Sequence, residues 1–157
     1  MSPSPEASAP TPPPEDRHGW MGLLARAPSD ELARLWDAAG HDPEHEWLRA
    51  PETGAVMVRG RAGGTGAPFN LGEMTVTRCA LRLATGETGH AYVQGRDRGK
   101  ARIAALVDAL MQTAAAPVLR DRLLAPLAEA EAARRRATAA RAGSTRVEFF
   151  TLARGED

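Results

Sequence analysis

The sequence predicts an α+β domain: a mostly antiparallel sheet of about five strands with helices packed on one side, in the order α-α-β-β-β-β-α-α-β. Three observations predict it. Apolar residues recur at helical spacing between residues 16 and 39, short runs rich in β-branched and aromatic residues follow Gly40, and helical spacing returns after Asp97. At 157 residues the chain has room for one compact domain, and two would each be marginal.

Residues 1–14 hold six of the twelve prolines, with Ser, Ala and Thr between them, and predict a disordered Pro-rich tail ahead of a single domain over 15–157. Trp20, Leu23, Leu24 and Ala27 share one face of a first helix, which Pro28 ends. Ser29 is placed to cap a second helix, with Asp30 and Glu31 in its first turn, Leu32, Leu35, Trp36 and Ala39 on its buried face and Gly40 as its stop. Residues 45–49, 54–61, 71–83 and 89–96 read as four strands of a meander, separated by Pro51, by Gly63, Gly64 and Gly66, and by Thr85-Gly86-Glu87. Asp97 caps a helix with Ile103, Leu106, Val107, Leu110, Met111 and Ala114 in one stripe. Pro117 and Pro126 punctuate a further helical stretch that Gly143 ends. Val147 to Leu152 reads as a last strand, with Phe149 and Phe150 pointing to opposite faces. Such a strand asks for cover on both sides, which makes Phe149 and Phe150 candidates for a partner interface.

Composition points the same way. The chain is 43% hydrophobic, but 31 of those 67 residues are Ala, and Leu, Ile, Val and Phe together number only 26. Twenty basic residues cancel twenty acidic ones, unlike a disordered chain of high net charge, so a globular domain that leans on a partner is expected. No run of 18 apolar residues and no basic-then-apolar start is present, so neither a membrane partner nor a secretory signal is expected, and the cytoplasm is the default address. A single cysteine, Cys79, excludes an intrachain disulfide framework and a Cys-rich metal or cluster site made by this chain.

The net charge of zero hides a split. Residues 15–54 carry nine acids and four arginines, whereas 59–102 carry eight basic residues and three acids, so the predicted sheet is basic. Arg59 and Arg61 share one strand face, as do Arg78 and Arg82, and Arg96 follows Tyr92 and Gln94. Guanidinium forks match phosphate and carboxylate geometry, and they equally serve as solvated partners of the acidic helices. Gly63, Gly64 and Gly66 let backbone N–H groups approach an anion, although the segment has neither the Gly-Lys-Ser/Thr ending of a P-loop nor a following helix. Gly95 to Lys100 combines a strand end with a helix N-terminus, where unpaired N–H groups attract anions unless Asp97 already satisfies them. Arg61, Gly63, Gly64, Gly66, Arg78 and Arg96 are therefore the candidates for binding an anionic substrate.

No catalytic set and no metal site is expected. His41 and His45 lie four apart beside three acids, but Pro43 breaks any helix that would align their rings. His90 has no assignable triad partner, and Cys79 reads as a small buried residue. The basic sheet lacks interleaved aromatics, so nucleic acid is not an expected partner.

Taken in order, Glu52-Thr53-Gly54, Arg61 with Gly63-Gly64-Thr65-Gly66, Thr77-Arg78, Gly95-Arg96-Asp97, Asp108-Ala109-Leu110-Met111-Gln112 and Arg146 to Thr151 with Arg154-Gly155 resemble the PhnG family. The resemblance runs from about residue 16 to the C-terminus and leaves out the Pro-rich tail. It implies a subunit of the bacterial carbon–phosphorus lyase core complex, acting in organic phosphonate catabolism with PhnH-, PhnI- and PhnJ-like chains. The implied activity is that of α-D-ribose 1-methylphosphonate 5-triphosphate synthase, a transferase that joins an alkylphosphonate to C1′ of the ribose of MgATP and releases adenine. It further implies that the catalytic residues lie on a partner chain, that MgATP is a substrate of the complex, and that the iron–sulfur cluster and S-adenosylmethionine belong to the PhnJ-like partner. The residues alone leave an alternative, a stand-alone small phosphate- or nucleotide-binding protein.

Overall fold

The structure, a computed structural model, describes residues 9–154, with side chains as far as residue 143 apart from that of Ala62. Helix α1 (Arg17–Arg26) starts where the Asp16 carboxylate accepts the Gly19 N–H at 2.9 Å, and it buries Trp20, Leu23 and Leu24 as the spacing predicts. Helix α2 (Ser29–Ala39) buries Leu32, Leu35 and Trp36 and ends on Gly40, whose φ of 70° is the left-handed conformation that favours glycine there. Its start differs from expectation. Pro28 occupies the cap position, no side chain caps the helix, and the Ser29 hydroxyl bonds the Asp97 carboxylate instead.

Three antiparallel strands, not four, follow in the order β1-β2-β3: β1 (His45–Arg61), β2 (Pro68–Leu83) and β3 (Thr88–Gln94). The predicted runs 45–49 and 54–61 are one strand that continues through Pro51. Strand β1 lies at the sheet edge, where a missing N–H is tolerated, and register shifts between Trp47 and Arg49 and between Arg49 and Glu52 absorb the irregularity.

Helix α3 (Arg98–Leu110) begins as predicted, with the Asp97 carboxylate accepting the Lys100 N–H at 2.9 Å. Leu106, Val107, Leu110 and Met111 are buried, while Ile103 is only half-buried and Ala114 falls beyond the helix end and is exposed. Helix α3 comes close to the sheet at Gly89, where a Cβ would sit 2.0 Å from the Ala105 carbonyl oxygen. After α4 (Ala116–Leu119) comes a π-helical turn, Arg120–Leu124, in which the Ala125 N–H reaches back to the Arg120 carbonyl. This wide turn lets Pro126 be taken into α5 (Ala125–Arg154) without ending the helix.

The expected final strand is not formed, and residues 147–152 continue α5, so the sheet has three strands rather than five. The preceding run of Ala, Glu and Arg favours helix, and elongation of an existing helix across Gly143 needs no new nucleus. The side chains of Phe149 and Phe150 lie outside the described residues. None of the described helices is long and apolar enough to cross a membrane.

As expected, the helices gather on one face of the sheet, where Leu24, Leu32, Leu81, Val93, Leu106 and Leu123 form the centre of the core. Strand β3 pairs with β2 only from Val76 to Arg82. Beyond that, the outer parts of β1 and β2 continue as a two-stranded ribbon joined by a short turn, Ala62–Gly64, in which Gly63 and Gly64 have φ of 62° and 77°.

Candidate functional site

The predicted anion-binding residues occupy three separate places. Arg61 is the last residue of β1 at the far end of the ribbon, opposite Pro68, with Gly63 and Gly64 in the turn beside it and Gly66 just after. Arg78 lies on the sheet face away from the helices, opposite Tyr92 and Glu52. From Glu52 to Arg61 is nine residues of strand, about 30 Å at about 3.3 Å per residue, so Arg61 and Arg78 do not share one small ligand. Arg96 is exposed in the link between β3 and α3. The structure thus brings Arg61, Gly63, Gly64 and Gly66 together at one end of the ribbon and sets Arg78 far from them.

Arg78 is also engaged. Its Nε donates to Glu52 Oε1 at 2.9 Å, and Arg49 Nη1 donates to the same oxygen at 2.7 Å. The Arg49 hydrogen bond, and then that of Arg78, hold the Glu52 carboxyl below its ordinary range. Glu52 and Arg78 border a cleft of about 260 Å³ with Val56, Val76 and Tyr92. Arg61 and Arg96, by contrast, have no ion-pair partner among the described residues.

At the start of α3 the question left by the sequence is decided in favour of the cap. The Lys100 N–H, then the Ser29 hydroxyl, hold the Asp97 carboxyl below its ordinary range, so that carboxylate is taken up by the chain's own donors. The Lys100 side chain turns inward, where its Nζ donates to the Ala25 carbonyl at 2.8 Å and burial lowers its pKa.

The larger cleft, about 570 Å³, lies between α1 and β3 and is lined mainly by apolar atoms of Met21, Leu24, Ala25, Tyr92 and Ala104, with His18 and His90 at its border. Its one arginine, Arg26, is held by both oxygens of Glu131, at 2.9 and 3.1 Å. The His45 Nδ1 donates to the Pro43 carbonyl at 3.0 Å, and the His41 ring lies 6.3 Å from that of Trp36. No three His, Cys, Asp or Glu side chains gather as a metal site among the described residues. The Cys79 thiol is buried, donates to the Ala101 carbonyl at 3.3 Å, and is pushed up to about 11 by burial, which removes it as a nucleophile near neutral pH.

Residues 15–155 match the family described as phosphonate metabolism protein PhnG. The chain belongs to the PhnG family. It is 50% identical over 141 residues, 90% of each chain, to the α-D-ribose 1-methylphosphonate 5-triphosphate synthase subunit PhnG of Rhizobium meliloti (strain 1021).

Several of the strings that carry the PhnG resemblance are structural. Thr77 Oγ1 donates to the Gly95 carbonyl at 2.7 Å and lies 3.1 Å from Thr53 Oγ1, which ties all three strands together at the base of the ribbon. Gln112 Nε2 donates to the Thr88 carbonyl at 2.8 Å. Asp108, which sequence reasoning quoted but gave no role, is the polar centre of this PhnG domain. It is fully buried and accepts from Arg17 Nε and Nη2 at 3.1 and 2.8 Å, from Trp20 Nε1 at 2.8 Å and from the His90 N–H at 2.9 Å. The one signal available was a lone acid in the otherwise apolar stretch from Ile103 to Met111. With four donors on two oxygens, Asp108 joins α1, β3 and α3 and has no role left for a substrate.

Proposed function

We propose that this PhnG-family chain is a supporting subunit of α-D-ribose 1-methylphosphonate 5-triphosphate synthase within the carbon–phosphorus lyase core complex. The 50% identity over 90% of both chains to a protein named as a subunit of that synthase carries the reading. The scattered placement of its candidate arginines, which build no complete anion site on the chain alone, supports it.

In this reading the complex aligns a phosphonate oxygen with C1′ of the ribose of MgATP, adenine leaves, and PhnH-, PhnI- and PhnJ-like chains in the cytoplasm complete the assembly. Positioned cations stabilise the oxocarbenium-like centre and the triphosphate. Arg61 beside the Gly63-Gly64-Thr65-Gly66 turn, and Arg96, are the arginines this chain has available to reach that anion, and Arg78 with Glu52 shapes the surface between them. The catalytic groups, the iron–sulfur cluster and the S-adenosylmethionine lie on partner chains.

The test is adenine release from MgATP and methylphosphonate by the reconstituted complex. Omission of this chain abolishes release, and Arg61→Ala or Arg96→Ala lowers it by about tenfold or more without dissociating the complex. Turnover that is unchanged when the chain is omitted would sink the proposal.

A further inference from the structure

Strand β3 is the second edge of the sheet and is paired on one side only, with β2. The Gly95 N–H donates to the Thr75 carbonyl and the Leu83 N–H to the Glu87 carbonyl, so the odd-numbered residues of β3 turn their backbone groups to β2 and the even-numbered ones turn theirs outward. At the start of this open edge the outward groups are satisfied: Arg17 and Gln112 donate to the Thr88 carbonyl, and the His90 N–H donates to Asp108. Further along they are not. The His90 carbonyl, both backbone groups of Tyr92 and the Gln94 N–H have no partner among the described residues.

The open half of the edge runs beside the larger cleft. The opposite wall is the face of α1 that carries His18, Met21, Gly22 and Ala25, with Leu24 and Ala104 between. Gly22 lies inside α1, where glycine weakens a helix relative to alanine. Gly19 is required by the chain, since a Cβ there would sit 2.6 Å from Pro14 Cβ. Gly22 is not, because its Cβ would meet only the flexible guanidinium end of Arg26, at 2.9 Å. A bare patch of helix facing an unpaired strand is what the close approach of another backbone requires.

Backbone groups left open at every second residue select an extended segment, because they match the ladder of an added strand. The surroundings select its source. A second copy does not fit: reciprocal pairing would set the two β3 strands about 4.8 Å apart, whereas the two α1 helices that flank them need about 8–10 Å between axes. Residues 1–8 carry Pro3 and Pro5, which have no N–H to give, and the chain beyond them is tied to α5 where the Thr11 N–H donates to Glu129 at 2.8 Å. Helix α5 reaches the groove at its Arg26 end, through Glu131, and runs on as helix to Arg154. An extended segment of another protein is left.

We propose that the edge of β3 from His90 to Gln94 is a strand-addition site, which takes an extended segment of another subunit of the synthase as a fourth strand, with alternate apolar side chains of that segment filling the groove between α1 and β3. Main-chain bonds to His90, Tyr92 and Gln94 hold the segment, and the lining by Met21, Leu24, Ala25 and Ala104 selects its side chains. The assignment rests on the subunit reading above and names a surface through which that reading is realised.

The test titrates the full-length chain, by calorimetry, into the co-expressed remaining subunits of the synthase, and follows amide exchange residue by residue in the free and the bound chain. On binding, the Tyr92 and Gln94 amides are expected to gain about 100-fold protection or more, while those of Ala91 and Val93, already bonded to β2, change little. Gly22→Leu puts a side chain into the groove and replaces glycine by a better helix former. It is expected to raise Kd by about 30-fold or more, with the melting temperature of the free chain equal or higher.

If the wild type binds while Tyr92 and Gln94 exchange as they do in the free chain, or if Gly22→Leu binds as tightly as wild type, the strand site is refuted and the subunit reading stands. If the wild type binds no subunit, the subunit reading falls and the site with it. Protection of Tyr92 and Gln94 in the free chain that is lost on dilution would assign the edge to a second copy. Protection that is lost on deletion of residues 1–8 or 144–157 would assign it to the chain's own termini. Either result overturns the proposal, and fast exchange in the free chain with protection in the complex supports it.

Discussion

Asp108→Asn tests whether one buried carboxylate holds the domain together. The substitution keeps the shape and replaces one acceptor oxygen by an NH2 group. Oδ1 accepts from Arg17 Nε and Trp20 Nε1, and Oδ2 accepts from Arg17 Nη2 and the His90 N–H, so either orientation of the amide sets a donor against a donor. The Arg17 side chain is 43% exposed and can turn to water, so its share of the loss is small. The other opposed donor, the indole or the backbone N–H, stays buried and unsatisfied at about 1–3 kcal/mol, and the surviving bond weakens by about 1 kcal/mol with loss of the charge. The expected destabilisation is about 2–4 kcal/mol, a large part of a domain's usual margin of about 5–15 kcal/mol. It corresponds to a drop of roughly 5–15 °C in Tm for a chain of this size. Arg17→Ala removes two of the four donors and leaves the buried carboxylate without its counter-charge, so it is expected to cost about 3 kcal/mol as well. Urea denaturation followed by Trp fluorescence measures both. A loss below about 1 kcal/mol for Asp108→Asn would show that the carboxylate is not the tie between α1, β3 and α3.

Two further substitutions probe the packing and the cap. Gly89→Ala places a methyl 2.0 Å from the Ala105 carbonyl oxygen and is expected to destabilise by about 3 kcal/mol, because only a shift of α3 relieves the clash. Gly54→Ala meets nothing within 4 Å on the ribbon and is expected to stay within about 0.5 kcal/mol of wild type, so equal melting temperatures for the two variants would contradict the close contact of β3 with α3. Asp97→Ala removes the cap of α3 and is expected to cost about 1 kcal/mol at neutral pH. Since the folded-state pKa of Asp97 is held below its ordinary value, this contribution is fully present above the ordinary carboxylate range and is lost as pH falls through the lowered folded value. Denaturation curves at neutral and acid pH check it, and a gap between variant and wild type that does not narrow in acid would rule out the carboxylate as the cap.

The sequence by itself determined the helices around Trp20, Trp36 and Leu106, the left-handed stop at Gly40 and the cap at Asp97, because spacing and capping are local rules that act within one or two turns. It also carried the family, since the motif order needs no geometry. It misread two elements where a local rule met a wider setting: Pro51 is harmless in β1 because that strand is an edge, and the strand-like pattern from Val147 to Leu152 is overridden by the helix that enters it. The role of Asp108 needed tertiary structure, because its donors come from residues 91, 88 and 18 positions away. The same holds for the arginines, which share a basic stretch of sequence and are spread along an extended ribbon and the loop beyond β3. Alternation made one face of the ribbon apolar, but only the folded sheet decided that the chain's own helices bury the face of β2 that carries Cys79, Leu81 and Leu83, because a strand's period of two leaves open which face a distant helix will bury.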